Sequence, residues 1–178
     1  ARWDGVTWNG TGLTMPILPF TKVTLLPLPN GHVLVGGSYV SGIKEWDGAT
    51  WTQVTTTAGS GPMAMLGNGD LVVASGGQVR VWNGTAMQNL GPSFAGSVFT
   101  LLRLPDDSVL AGGTISASGA TPILRLARWD GTTWRQVGAG ANGSLQHLRW
   151  RADGTVWAAG AFTMLDGVAS GGLGTFTS

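Results

Sequence analysis

The chain has 178 residues, of which 10 are basic and 9 acidic, so its formal net charge is only +1. Charged residues make up 11% of the sequence against roughly 25% in an average globular domain, which argues against a coiled coil, a disordered chain or a nucleic-acid-binding surface. The absence of Cys excludes disulfides, a thiol nucleophile and a Cys-based metal site, and no apolar run approaches the roughly 20 residues of a membrane-spanning helix.

A Trp-Asp-Gly motif recurs along the chain and marks an internal repeat. It begins at Trp3 and returns at Trp46, at Trp82 as Trp-Asn-Gly, and at Trp129. Self-similarity with a period of about 40 residues is typical of a repeat architecture. Each copy is predicted to turn one strand into the next.

A second motif lies between these copies and predicts a hairpin of two apolar strands, the second ending in small residues. Its copies occupy 25–37, 64–77, 102–113 and 148–160. Their turns are Asn30-Gly31, Asn68-Gly69, Asp106-Asp107 and Asp153-Gly154. The Gly-containing pairs supply the positive φ that two-residue hairpin turns require, whereas Asp106-Asp107 lacks Gly and predicts a different turn type.

Each repeat is therefore predicted to form four short strands, and the chain is predicted to be all-β. Such units are typical of β-propeller blades, which stack because one small sheet cannot bury both of its faces alone. We expect about four blades' worth of antiparallel strands in residues 1–178, with the repeat-fixed Trp residues, including Trp8, buried between blades. The predicted blade segments are 1–11, 18–56, 62–90, 97–138 and 144–178.

The two ends of the chain leave two arrangements open. Residues 1–4 and 6–9 correspond to the third and fourth strands of a blade, while 145–150, 155–162 and 174–177 correspond to the first three. Either the N-terminal pair completes the last blade in a ring of four, or the chain is a segment of a larger ring that missing sequence or another chain completes. The last strand competes with the first for one position, which favours the segment.

These repeats resemble those of kelch-type propellers, in which paired glycines close the second strand and a Trp opens the outermost strand. The matching residues are Gly36-Gly37, Gly76-Gly77, Gly112-Gly113, Trp51 and Trp134. The pattern ARWDG-x-x-W … LP-[DN]-G-x-L-x-x-GG is similar to repeats of large secreted or surface proteins of bacteria and of fungal cell-polarity markers. The resemblance covers essentially the whole chain and implies a propeller in an extracellular or cell-surface location.

The acidic residues predict turns rather than catalysis. Most of the 9 acids lie at or beside predicted turns, where Asp caps its own backbone, whereas glycoside hydrolysis needs two carboxylates that converge on one pocket. A sialidase Asp-box does not fit, because Asp130 and Gly131 are adjacent and Trp134 follows too soon. Tyr39 is the single Tyr and leaves little scope for a Tyr nucleophile, so we expect no enzymatic activity.

Metal and cofactor sites are not expected either. His32 and His147 lie in different repeats, and neither has a neighbouring ligand at metal spacing. The Asp-Gly turns lack the dense Asp-x-Asp pattern of a calcium loop. Asn9, Asn83 and Asn142 fit the N-glycosylation pattern, which Asn-Gly turns followed by Thr or Ser also produce on their own.

The strand at 145–150 departs from its own repeat. His147, Arg149 and Arg151 alternate with Leu148 and Trp150, so these three polar residues share one side. Other copies hold apolar residues at the two Arg positions, such as Leu26, Ala64 and Leu104. The predicted ligand-binding residues are His147, Arg149, Arg151 and Arg103. The guanidinium groups of Arg suit an anionic or sugar ligand. Alternatively, the aliphatic parts of the Arg side chains line a water-filled channel or cover the edge of a blade.

The sequence thus predicts a non-catalytic, extracellular β-propeller module that serves as a scaffold or as a protein- or glycan-binding platform. The alternatives are a lectin or the propeller portion of a carbohydrate-active enzyme. Neither nucleic acid nor a membrane span is expected among its partners.

Overall fold

A computed structural model describes residues 1–13, 23–37, 40, 42–56 and 61–177. These residues form 22 β-strands and no helix, which confirms the all-β prediction. They divide into two compact units, Ala1–Ser60 and Gly61–Ser178. Tyr39, Ser178 and parts of the predicted blade segment 18–56 (18–22, 38–39 and 41) lie outside the described residues.

The first unit holds a two-stranded sheet and a four-stranded antiparallel sheet, which we call blade 1. The two-stranded sheet pairs β1 (Arg2–Trp3) with β2 (Trp8–Asn9). Blade 1 consists, in spatial order, of β3 (Val23–Pro27), β4 (Val33–Gly37), β5 (Ile43–Trp46) and β6 (Trp51–Thr55).

The second unit holds blades 2, 3 and 4 and two small sheets, all antiparallel. Blade 2 contains β7 (Met63–Met65), β8 (Leu71–Ser75), β9 (Gln78–Trp82) and β10 (Met87–Asn89). The small sheets are β11 (Phe94–Ala95), β14 (Ala117–Ser118) and β15 (Thr121–Pro122), and β20 (Met164–Leu165) with β21 (Val168–Ala169). Blade 3 contains β12 (Val98–Arg103), β13 (Val109–Gly113), β16 (Leu126–Trp129) and β17 (Trp134–Gln136). Blade 4 contains β18 (Ser144–Trp150), β19 (Thr155–Ala161) and β22 (Leu173–Thr177).

Blade 3 buries its two faces against different neighbours. We call the face of blade 3 that packs on blade 4, and the equivalent face of every other blade, the C-side face. The opposite face is the N-side face. In blade 3, Leu110 is fully buried on the C-side face, in one core cluster with Leu148 and Val156 of blade 4. Val109, the preceding residue, lies on the N-side face in a second cluster that includes Ala64 of blade 2. The two-residue period of β13 thus serves two interfaces.

Trp residues that open the outermost strand repeat one hydrogen bond. The Trp134 Nε1–H donates to the Leu90 carbonyl at 2.7 Å, and the Trp51 Nε1–H donates to the Thr11 carbonyl at 2.7 Å. The acceptor in each case follows the last strand of the preceding sheet. Trp134 is 1% exposed, as its predicted packing role requires.

The expected burial of Trp8 is wrong, and its neighbour Trp3 is open as well. Trp8 is 71% exposed and Trp3 is 50% exposed. The two rings contact each other, with centroids 5.5 Å apart, across the β1–β2 pair. Because this sheet has only two strands among the described residues, the rings lack the covered surface that a full blade gives Trp134.

The turns of the hairpin motif are one residue longer than predicted. The Leu28 N–H donates to the His32 carbonyl at 2.9 Å, and the Gly31 N–H donates to the Leu28 carbonyl at 3.0 Å. The loop therefore encloses three residues, as in a type I turn followed by a residue in the left-handed region. Gly31 supplies that residue with a φ of 84°.

The turn at Asp106-Asp107 has the same geometry, so the prediction of a different turn type is wrong. The Leu104 N–H donates to the Ser108 carbonyl at 2.8 Å, and the Asp107 N–H donates to the Leu104 carbonyl at 3.0 Å. Asp107 itself adopts the left-handed conformation, with a φ of 66°. Its carboxylate accepts a hydrogen bond from the Gly67 N–H at 2.8 Å, which offsets a conformational cost of about 1–2 kcal/mol.

Candidate functional site

β18 places three of the four predicted ligand-binding residues on the C-side face of blade 4. Leu148 is buried in the core cluster shared with blade 3, whereas His147 and Arg149, on either side of it, are exposed. Arg151, just beyond the strand, is also exposed. The predicted alternation of β18 is therefore confirmed.

Trp157, which is not among the predicted ligand-binding residues, lies in the middle of this face. It stands opposite Arg149 in the β18–β19 register and opposite Thr175 in the β19–β22 register. The guanidinium carbon of Arg151 is 5.6 Å from the centroid of the Trp157 ring, within the range of a cation–π contact. One guanidinium group thus lies over the indole, and a second Arg stands opposite it in the strand register.

The equivalent surface of blade 3 is apolar and covered. In blade 3 the positions of Arg149, Arg151 and Trp157 are held by Leu102, Leu104 and Leu110. Leu104 and Leu110 are buried against blade 4, and Leu102 packs at the edge of the same cluster. Blade 4 therefore presents two cations and a large aromatic ring where its neighbour presents a packing surface. The Trp at a repeat position that holds Leu110 in blade 3 is the sequence feature that points to Trp157 as part of the site.

The two Arg residues differ in their partners. Arg151 forms an ion pair with Asp153 at 3.4 Å, and the pKa of Asp153 is lowered chiefly by hydrogen bonds from Thr155. Arg149 makes neither an ion pair nor a side-chain hydrogen bond with any described residue. The Trp157 Nε1 atom is buried and meets no acceptor in the described ranges. An unpaired buried donor costs about 1–3 kcal/mol, so the indole is held at this position at a cost to stability.

His147 shares the face but lies away from this centre. It stands opposite Ala159, two residues before Arg149, and directly follows the register shift between Leu145 and His147. Its ring makes no side-chain hydrogen bond within the part of the chain that the structure describes. His147 therefore extends the row of exposed polar side chains on this face.

Arg103 is not brought together with the other three residues. It pairs with Val109 in the β12–β13 register and so projects from the N-side face of blade 3. Its guanidinium binds the Asp107 carboxylate within the same turn. The hydrogen bond from Gly67, followed by that from Arg103, lowers the pKa of Asp107. The position of Arg103 thus supports a structural turn.

A cavity of about 380 Å³ between blades 2 and 3 carries acidic groups on its rim, but these groups are already bound. Asp106 accepts hydrogen bonds from the N–H and Oγ–H of Ser108 and pairs with Arg128. The Asp130 carboxylate accepts from the backbone N–H groups of its own turn and from Arg135. These contacts lower the pKa of both carboxyls. A catalytic acid needs the opposite shift.

His32 has a single acidic partner in the first unit. Its Nδ1 lies 2.6 Å from Glu45 Oε1 across neighbouring strands of blade 1. Within the described ranges, no group of three or more His, Asp or Glu side chains is placed to hold a metal ion. His32 thus acts here as a hydrogen-bond partner of Glu45.

Several solved structures are similar to this chain. The extracellular domain of the one-component system BT4673 from B. thetaiotaomicron is 16% identical with a TM-score of 0.54, over 86% of this chain and 19% of that one. A protein of unknown function from Bacteroides caccae is 15% identical with a TM-score of 0.57, over 78% and 55%. YCF48 bound to D1 peptide is 17% identical with a TM-score of 0.51, over 76% and 45%.

These likenesses and the four-stranded antiparallel sheets define the chain as a β-propeller fold. It spans between about a fifth and about half of the length of the three similar structures. No protein-family model and no curated protein matches the sequence. In the described part of the chain, no helix has the length and apolar character to cross a membrane.

Proposed function

We propose that the chain is a non-catalytic, extracellular β-propeller module of the kelch type that binds an anionic group of a protein or glycan on the C-side face of blade 4. The observation that carries the proposal is the pair of Arg149 and Arg151 beside Trp157, at positions that are apolar in blade 3. The extracellular location draws support from the similar domain of the one-component system.

The chemistry of this face favours a carboxylate. Arg149 has donors that no described side chain occupies, and a guanidinium binds a carboxylate through two parallel hydrogen bonds. Arg151, held by Asp153 and the Trp157 ring, adds positive charge at a fixed point. A uronic acid of a glycan and an acidic side chain of a protein both carry this group. YCF48, described with a bound peptide, offers a parallel for a protein ligand.

The carboxyl groups support a non-catalytic role. Every carboxyl whose pKa is displaced moves downward, because turn N–H, hydroxyl and Arg donors stabilise the charged form; these are Asp4, Asp47, Asp106, Asp107, Asp130 and Asp153. Glycoside hydrolysis requires one carboxyl with a raised pKa that protonates the leaving group. The carbohydrate-active alternative thus lacks a candidate acid among these residues.

The test is binding of two acidic probes, a uronic-acid oligosaccharide and an oligoglutamate peptide, by calorimetry. We expect Arg149→Ala and Arg151→Ala each to weaken binding by about tenfold or more, because a hydrogen bond to a charged group contributes about 1.5–3 kcal/mol. Arg135→Ala is the control: it removes the same charge from a side chain that is 70% exposed in blade 3. Binding should also weaken with added salt.

Two results would contradict the proposal. Equal affinity of the parent chain and both blade 4 variants for the acidic probes would remove the Arg149–Arg151 face as the site. Turnover of a polysaccharide by the purified chain would refute the non-catalytic assignment.

A further inference from the structure

The first strand of blade 1 is open on the N-side face, whereas the same strand of blade 3 is buried there. Val35 of β4, opposite Leu25 on this face, is itself 1% exposed, so the opening is confined to β3. Leu25 is 63% exposed, whereas Leu101, at the same register position of blade 3, is 8% exposed. Val23 is 38% exposed, against 4% for its counterpart Val98. The same apolar residue types thus stand open in one blade and covered in the other.

In blade 3 this face is covered by the first hairpin of blade 2. Ala64 of β7 and Val72 and Ala74 of β8 lie in one core cluster with Val98 and Leu101. The covering residues are small or β-branched and follow the two-residue period of a strand. The second unit therefore shows what kind of surface fits an N-side face.

The β1–β2 pair already occupies part of the equivalent position on blade 1. The Trp51 Nε1–H donates to the Thr11 carbonyl just after β2, as the Trp134 Nε1–H donates to the Leu90 carbonyl just after β10. β1 and β2 thus correspond to β9 and β10, the third and fourth strands of blade 2. The described residues of the first unit contain no strands that correspond to β7 and β8 beside β1.

That position is an open cavity with a strand edge beside it. The cavity measures about 640 Å³, and Val23, Leu25 and Val35 of blade 1 line it together with Arg2 of β1. β1 pairs with β2 alone among the described strands, whereas β9 pairs with both β10 and β8. An unpaired strand edge next to an apolar face is a template for strand addition.

We propose that the N-side face of blade 1 docks a β-hairpin of the β7–β8 type, whose second strand pairs with the open edge of β1. The occupant is a partner of defined chemistry: two antiparallel strands that present small and β-branched apolar residues to Leu25 and Val23. The blade 2–blade 3 interface is the pattern on which this assignment rests. It concerns residues of the first unit and is independent of the anion site on blade 4.

The register of the partner follows from blade 2. Trp3 is the counterpart of Trp82, since each pairs with the first residue of the next strand and precedes an Asp-Gly or Asn-Gly turn. Leu71 stands opposite Trp82 in β8, and Val72 stands opposite Val81. The partner therefore places a Leu-like residue opposite Trp3 and a Val-like residue opposite Arg2, the counterpart of Val81.

The experiment supplies such a hairpin in register. A copy of residues 61–79 is fused directly before Ala1 of the full chain, which places the copied Val79 ahead of Ala1 as it stands ahead of Arg80 in blade 2. Hydrogen exchange, measured by mass spectrometry, is compared with that of the unfused chain in segments 1–9 and 23–27. We expect exchange in both segments to slow by about tenfold or more, because strand pairing and burial protect amides.

A matched fusion carries Asp at the copied positions of Val72 and Ala74. It should leave exchange at the rate of the unfused chain, because a buried, unpaired carboxylate is strongly disfavoured. Equal exchange in the two fusions would overturn the proposal. So would concentration-dependent dimerisation of the unfused chain that Leu25→Asp abolishes and Val6→Asp leaves intact, since a second copy would then be the occupant. Val6 is an 80% exposed apolar control in the same unit.

Discussion

Leu25 and Leu101 occupy one repeat position on an open and a covered face, so replacing each by Ala measures what covering contributes. Leu101 is 8% exposed, and a Leu→Ala change at such a site costs about 2–5 kcal/mol from lost burial and the remaining cavity. Full burial of a Leu side chain contributes roughly 1.5–3 kcal/mol. Because Leu25 is 63% exposed, its present burial contributes only about a third of that free energy. We expect a loss near 3 kcal/mol for Leu101→Ala and below about 1 kcal/mol for Leu25→Ala.

Urea unfolding followed by Trp fluorescence gives the free energies of unfolding, provided that the slope with denaturant is unchanged between variants. Hydrogen exchange in β3 and β12 checks that each loss is local to its own unit. Equal losses for Leu25→Ala and Leu101→Ala would refute the reasoning, because Leu25 would then be covered in the isolated chain.

Two further predictions concern a glycine and a carboxyl group. Gly91→Ala should lower the melting temperature much more than Gly84→Ala. Both residues have positive φ, 76° for Gly91 and 91° for Gly84. A Cβ at Gly91 would lie 2.6 Å from the Trp129 ring, whereas one at Gly84 would meet nothing within 4 Å. The strain alone costs about 1–2 kcal/mol at each site, and the clash adds to it only at Gly91; equal shifts would show that the ring yields freely. Hydrogen bonds from the backbone N–H groups of Thr50 and Ala49 lower the pKa of Asp47 from 3.8 to about 2. The charged form of Asp47 therefore stabilises the fold above about pH 4, and this stabilisation is lost as the pH falls towards 2. In Asp47→Asn the urea midpoint should depend less on pH between 4 and 2 than it does in the parent chain. An unchanged pH dependence would contradict the assignment.

The sequence predicted strands and one cationic face because both depend on local periodicity. The Trp-Asp-Gly repeat located the third and fourth strands, and the alternation of Arg149 with Leu148 located a face of β18. Arg103 shows the limit of this reasoning. In the register it is next to Leu102, the counterpart of Arg149, and a shift of one residue in a strand moves a side chain to the opposite face.

The remaining differences depend on neighbours that are distant in the chain. Trp8 and Trp134 hold the same repeat position, yet their exposure differs because one belongs to a two-stranded sheet and the other to a full blade packed on blade 2. The turn at Asp107 keeps the geometry of the Gly-containing turns because Gly67 and Arg103 hold its carboxylate. Neither context can be derived from the composition of the motif itself.

The bond between Asp107 and Gly67 has a consequence for how such repeats can be rearranged. Pro29 and Pro105 stand at the position of Gly67 in two other repeats, and proline has no N–H with which to bind Asp107. A Cβ at Gly67 would lie 2.7 Å from the Arg103 guanidinium, so a larger residue there would displace this side chain from its present position. Recombination that placed the blade 3 repeat after a proline-bearing repeat would lose this bond. The hydrogen bond between one turn of blade 2 and one turn of blade 3 thus favours this order of the two blades, and these repeats are not interchangeable copies.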